Sequence, residues 1–276
     1  MRRRILSGSS RQRWYESSKH GTARTGQTAC EAPGRVLAIL GFHKIGEPPD
    51  TGWDTWFYIP ESTFVQQLQY LRDCDWCVID AAAFLRGLQQ PEALPRKSAL
   101  LTFDDGCRQF LDVGLPCLQR FQYAAVQFVP TGFIGGRNSF DSDSEPEEPI
   151  LGWNDLRELE RSGVSIQSHG VTHKAFSGLT REELMDEVIR SKAVLEDGLG
   201  KQVEMFAYPS GDSGSKAQEA GLTLMRTGYR AGLLYGGGLI RLPAPDPYYL
   251  PRLAIGPDTD LPKLLSFSPK REAVLD

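Results

Sequence analysis

The sequence predicts an α/β protein whose mainly parallel sheet curls into a barrel, and three observations carry that expectation. Short apolar runs of strand length alternate with stretches of helical spacing along most of the chain. The candidate chemical residues follow strands rather than helices, as they do where parallel strands release their C-terminal ends onto one face. With 276 residues, the chain is also long enough for one large core, a size at which such barrels often remain undivided.

Val36 to Phe42, VLAILGF, follows Pro33 and Gly34 and reads as a buried strand ending at His43. Ser62 is a capping residue type, and Phe64, Leu68 and Leu71 stand behind it at helical spacing, which places a helix before Val78 and Ile79. Ala99 to Phe103 is the next strand and delivers Asp104, Asp105 and Gly106. Leu115 to Phe121 then reads as helix and Ala124 to Val129 as strand. Residues 138 to 149 are polar and acidic, and solvation accounts for them as an exposed loop. Trp153 to Arg161 is helical, Val164 to Gln167 is a strand, and His169 follows within two residues. Residues 179 to 200 form a long helix with Thr180 as N-cap, Glu183 three residues on, and Gly198 and Gly200 closing it. Phe206 to Tyr208 ends a strand at Pro209, Ala217 to Ala220 continues a helix, Gly228 to Leu234 returns to strand character, and Leu250 to Ile255 is the last strand.

The net charge of −4 is unevenly spread: residues 1 to 35 carry +6 and the remainder −10. An acidic body argues against a nucleic-acid groove, whose affinity comes mainly from basic residues on phosphates. Residues 1 to 34 read as a basic, disordered leader, and 35 to 276 as the barrel domain. Arg2, Arg3 and Arg4 are followed only by Ile5 and Leu6 before polar sequence resumes, so the apolar core of a secretory signal is missing and a cytoplasmic location is expected unless another signal directs export. No apolar run reaches the length of a transmembrane span. Of the cysteines Cys30, Cys74, Cys77, Cys107 and Cys117, only Cys74 and Cys77 form a C-x-x-C; with no second such pair and no nearby histidine, they read as two half-buried thiols.

Two motifs carry chemistry. In LTFDDG, residues 101 to 106, adjacent carboxylates leave an apolar strand, an arrangement that costs energy unless a cation or shared proton compensates, although Asp-Asp-Gly also suits a plain turn. In SHGVTH, residues 168 to 173, His169 and His173 lie four apart after a strand, and imidazoles suit zinc and similar divalent ions. Together they supply two histidines and a carboxylate with coordination positions left for water and a substrate oxygen. One aspartate can then bind metal while its neighbour serves as base.

With LTFDDG as first motif, SHGVTH as second and FAYPSG, residues 206 to 211, as third, the chain resembles the polysaccharide deacetylases, the NodB-homology or carbohydrate esterase family 4 enzymes, over roughly residues 36 to 256. The resemblance implies a distorted (β/α) barrel, a divalent metal that is commonly zinc, with cobalt or nickel as alternatives, and hydrolysis of acetyl groups on a glycan. It makes Asp104 the general base, groups Asp105 with His169 and His173 as metal ligands, and gives the Ser210 backbone N–H to the oxyanion. The chain departs from the family at Ala207, where many members carry an arginine that orients the base, and at Ser210, where many carry an aromatic; Arg252 in LPRLAI is the candidate substitute for the arginine. No histidine follows residue 173, so the late general-acid histidine is also absent. His43 is then the better remaining candidate over His20, a layout similar to the permuted subgroup that includes poly-N-acetylglucosamine deacetylases. Hydrolysis of a non-sugar amide and a noncatalytic carbohydrate-binding barrel are the alternatives, and the glycan, its linkage and the oligomeric state stay open.

Overall fold

Seven apolar residues in succession, Val36–Phe42, form strand β1, buried along its whole length. The structure is a computed structural model that describes residues 34–49, 55–215 and 217–266; residues 1–33 of the expected leader, with His20 and Cys30, lie outside the described residues. After β1 come the two-residue strands β2 (Lys44–Ile45) and β3 (Tyr58–Ile59), which pair with each other. Helix α1 (Glu61–Asp73) buries Phe64, Leu68 and Leu71 as their spacing requires. It starts one residue before Ser62, which caps nothing: Pro60 holds the N-cap position, and Glu61 sits where the positive end of the helix favours an acid. Strand β4 (Cys77–Val78) leads to α2 (Ala81–Gln89), a helix not expected from the sequence although Asp80 caps it through the Ala83 N–H. Cys74 is half-buried as expected, but Cys77 is exposed, and both thiols are free.

The chain continues through β5 (Lys97–Phe103), α3 (Leu115–Phe121), β6 (Ala125–Val129), α4 (Trp153–Arg161) and β7 (Val164–Ser168). Helix α5 (Arg181–Leu199) has the expected reciprocal cap between Thr180 and Glu183 and ends at Gly200 with φ 67°. Gly198 serves packing instead, because a Cβ there would lie 2.1 Å from the Trp153 ring, so this glycine lets α4 and α5 approach. Strand β8 (Met205–Ala207), α6 (Ala217–Arg226), β9 (Ala231–Leu233), β10 (Ile240–Arg241), β11 (Leu253–Ala254) and α7 (Leu261–Leu265) complete the order.

The sheet runs β10-β1-β5-β6-β7-β8-β9, with β11 also on β1 and β4 on β5; every pairing is parallel except that of β10 with β1. The sheet curls back on itself, because the segment at 250–254 joins its two ends: Leu250 bridges Leu233 of β9, and Leu253 and Ala254 pair with Leu40 and Gly41 of β1. Strand alternation divides the core into two layers. Leu37 and Ile39 share one with Leu100, Val126, Phe128, Met205 and Leu233, while Ala38, Leu40 and Phe42 pack with Phe64, Leu68 and Leu71 of α1. Among the described residues no helix is long and apolar enough to cross a membrane.

Candidate active site

Parallel register decides which residues meet. Phe42 of β1 is level with Phe103 of β5, so the next residues, His43 and Asp104, leave the sheet together, and the Asp104 N–H donates to Phe42 O at 3.0 Å. On the neighbouring pair Val129 is level with Ser168, and the His169 N–H donates to Val129 O at 3.1 Å. Three of the five non-glycine residues with positive φ among the described residues are Asp105 (70°), His173 (59°) and Ser210 (57°). Left-handed backbone costs roughly 1–3 kcal/mol at such residues and persists where the surroundings hold it. At Asp105 and His173 it accompanies side chains that meet at 3.0 Å.

Asp104 and Asp105 are both buried but have different partners. Arg252, fully buried, grips Asp104 with two hydrogen bonds, to Oδ1 at 2.7 Å and Oδ2 at 2.6 Å, and also donates to Leu234 O and Thr102 Oγ1. Burial opposes the charge of Asp104, yet Arg252 and His169 outweigh it and hold the carboxyl below its usual range. Asp105 Oδ1 instead lies 3.0 Å from His173 Nε2 and 3.5 Å from His169 Nε2. Against the same burial penalty, the two imidazoles keep Asp105 well below the ordinary carboxylate value.

The Nδ1 atom of His169 lies 2.8 Å from Ala207 O. A carbonyl can only accept, so Nδ1 carries a proton, which leaves Nε2, the nitrogen beside Asp105, as the one a metal would take from the neutral ring. One ligand atom from each of Asp105, His169 and His173 lies within 4.8 Å of the others, and this donor set fits one divalent cation. The ring of His173 is held against Phe140 at 4.2 Å.

The half-buried ring of His43 packs between Phe57, at 4.5 Å between centroids, and the edge of Tyr235, at 4.9 Å. Burial lowers its pKa, with Asp105 and Asp104 pulling the other way. Ser210 is exposed on the turn after β8, three residues beyond the carbonyl that orients His169. Five of the seven residues singled out from sequence, Asp104, Asp105, His169, His173 and Arg252, are thus joined directly, and His43 reaches them through the Tyr235 ring, which also meets Arg252.

The acidic stretch at 138–149 is not the solvated loop expected from its composition. Asn138, Glu145 and Glu148 are buried, and Lys44, only 1% exposed, pairs with Glu145 at 3.2 Å and Glu148 at 3.5 Å. Thr55 donates to Glu145 as well. The counter-charge was invisible because it stands 101 residues away, directly after His43. Burial and the nearby charge of Asp105 push Asp141, which follows Phe140, up to about 6. Lys44→Met is expected to destabilise the protein by roughly 3 kcal/mol, the scale for leaving buried carboxylates unpaired. Chemical denaturation of the variant beside the parent checks this, and an unchanged midpoint would show that the loop does not depend on the pair.

A curled parallel sheet with this cluster at its strand ends is the NodB-type deacetylase fold. The chain belongs to the polysaccharide deacetylase family, whose model matches residues 92–231, half of its length. It is 24% identical over 197 residues to YxkH of Bacillus subtilis (strain 168), a match covering 71% of this chain and 63% of that protein, less than two thirds of the relative's length. It is 23% identical over 214 residues to the poly-β-1,6-N-acetyl-D-glucosamine N-deacetylase of Staphylococcus aureus (strain MRSA252), covering 73% and 69% of the two chains. The Streptococcus pyogenes deacetylase PplD, solved in complex with acetate, superposes with a TM-score of 0.71 at 25% identity, over 84% of this chain and 97% of that one.

Proposed function

We propose that this protein removes acetyl groups from an N-acetylated or O-acetylated carbohydrate by metal-dependent hydrolysis, with Asp104 as general base and His43 as general acid. The observation that carries the reading is the division between neighbouring carboxylates, one tied to Arg252 and the other grouped with two imidazoles. Asp105, His169 and His173 would hold the cation, zinc before cobalt or nickel, whose chemistry when bound is Lewis acidity toward the carbonyl and acidification of water.

Asp104 receives the proton of the attacking water. Its Oδ2 lies 3.9 Å from His169 Nε2, so the base borders the metal ligands while Arg252 fixes its plane. The Ser210 N–H helps carry the oxyanion. His43 gives a proton to the sugar nitrogen or oxygen as the acyl bond breaks, which leaves acetate and a free amine or alcohol. A lowered pKa makes its imidazolium a stronger acid and a less populated one at neutral pH. The substrate named for the staphylococcal relative makes N-acetylglucosamine oligomers the first to test.

The test combines metal analysis of the purified protein with acetate release from a panel of acetylated glycans and simple N-acetyl amides. We expect about one divalent ion per chain and acetate from at least one glycan. Release from the non-sugar amides alone would transfer the activity to a different substrate class, and glycan binding without release would leave a noncatalytic barrel. Asp105→Asn is expected to weaken metal affinity by about tenfold or more, whereas Asp104→Asn leaves it near normal, since only Asp105 is assigned as a ligand. Titration with a chelator-buffered metal compares the two, and equal losses would overturn the division of roles.

A further inference from the structure

Tyr235 lies two residues beyond β9, outside every motif of the sequence, yet it sits within the site. A Cβ on Gly41 would come within 2.9 Å of its ring, and one on Gly211 within 2.5 Å of its backbone nitrogen, so two glycines make room for it. The ring meets His43 edge-on at 90°, and the Arg252 guanidinium carbon lies 5.4 Å from the ring centroid. It therefore forms a wall shared by the proposed acid and the cation that holds the proposed base.

The phenol oxygen is buried and has no hydrogen-bond partner among the described residues, and the same is true of His43 Nδ1 beside it. A buried hydroxyl without a partner is costly, and phenylalanine would supply the same ring without that penalty. Burial, reinforced by the charge of Asp104, raises the phenol's pKa, so the group stays protonated and acts as a donor.

We infer that the Tyr235 hydroxyl donates a hydrogen bond to an oxygen of the bound substrate, making it a recognition residue for acetylated sugars that none of the three motifs contains. This rests on the deacetylase reading above. The carbonyl and hydroxyl oxygens of such a sugar are acceptors, and His43 and Arg252 bring the phenol to the end of the sheet where the acetyl group would react.

Two variants separate recognition from packing. Tyr235→Phe keeps the ring against His43, and is expected to retain metal, to melt at or above the parent temperature, and to lose about tenfold in kcat/KM for acetate release from an N-acetylated oligosaccharide, the scale of one neutral hydrogen bond. Tyr235→Leu removes the ring as well and should lose both stability and activity. If Tyr235→Phe stays within about twofold of the parent while Tyr235→Leu fails, the residue only packs and the inference is overturned. If the parent releases no acetate but binds the oligosaccharide in calorimetry, the deacetylase reading fails, and the affinity of Tyr235→Phe then decides: about tenfold weaker supports the hydrogen bond, equal overturns it. A parent that neither cleaves nor binds overturns both.

Discussion

His43→Ala is expected to retain its fold and its metal and to lose roughly two to four orders of magnitude in turnover on an N-acetylated glycan, the scale of a missing acid catalyst. An amine cannot depart as its anion, so acetamide hydrolysis needs a proton at nitrogen as the acyl bond breaks. His43 leaves the sheet beside Asp104, and its ring is fixed by Phe57 and Tyr235 rather than by any residue assigned to the metal. Its loss should therefore spare the ligand set. On an aryl acetate, whose phenolate leaves unaided, the defect should shrink. Parallel assays of acetate release from N-acetylglucosamine oligomers and from an aryl acetate test this, and near-normal turnover on the oligomers would assign the acid to another group.

The second large effect is expected at Arg252, where stability and turnover should fall together. Arg252→Met keeps most of the side-chain volume but leaves Asp104 as a buried carboxylate without its cation, a change that costs roughly 3–5 kcal/mol. The same change frees the proposed base from a two-point grip, and misplacement by about 1 Å can cost a hundredfold in rate. The effect on pH dependence follows from the direction of the Asp104 shift. Its folded pKa is depressed, so ionised Asp104 contributes stability above the unfolded carboxylate value near ~3.9, and that contribution fades as pH falls through the folded value. Without Arg252 the contribution is lost, and the acid-unfolding midpoint should move to higher pH. Acid titrations followed by circular dichroism measure it; an unchanged midpoint with unchanged turnover would show that the pair matters to neither.

The parts of this site that were legible in the sequence share a property: each is written in a local run. VLAILGF, the strand before Asp104 and the strand before His169 show their apolar character within a few residues, and parallel register then brings their ends together. What was hidden depends on pairings too short to show a period or partners too distant to show a pattern. Strands β2, β3 and β10 have two residues each. The acidic stretch looks solvated until Lys44 is found beneath it. Tyr235 could have been suspected, because it precedes three glycines shortly after a strand, and a place after a strand is what drew attention to His169.

The segment at 250–254 both joins the ends of the sheet and carries Arg252, and this has a consequence for the order in which the chain is made. Synthesis runs from the N-terminus, so both carboxylates and all three site histidines emerge well before residue 250. A nascent chain stopped at that point has every proposed metal ligand but lacks the guanidinium that holds Asp104, as well as β11, which pairs with β1. The last of the described strands to emerge therefore closes the sheet and secures the proposed base together, and ribosome-bound intermediates would hold the parts of the site before they are assembled.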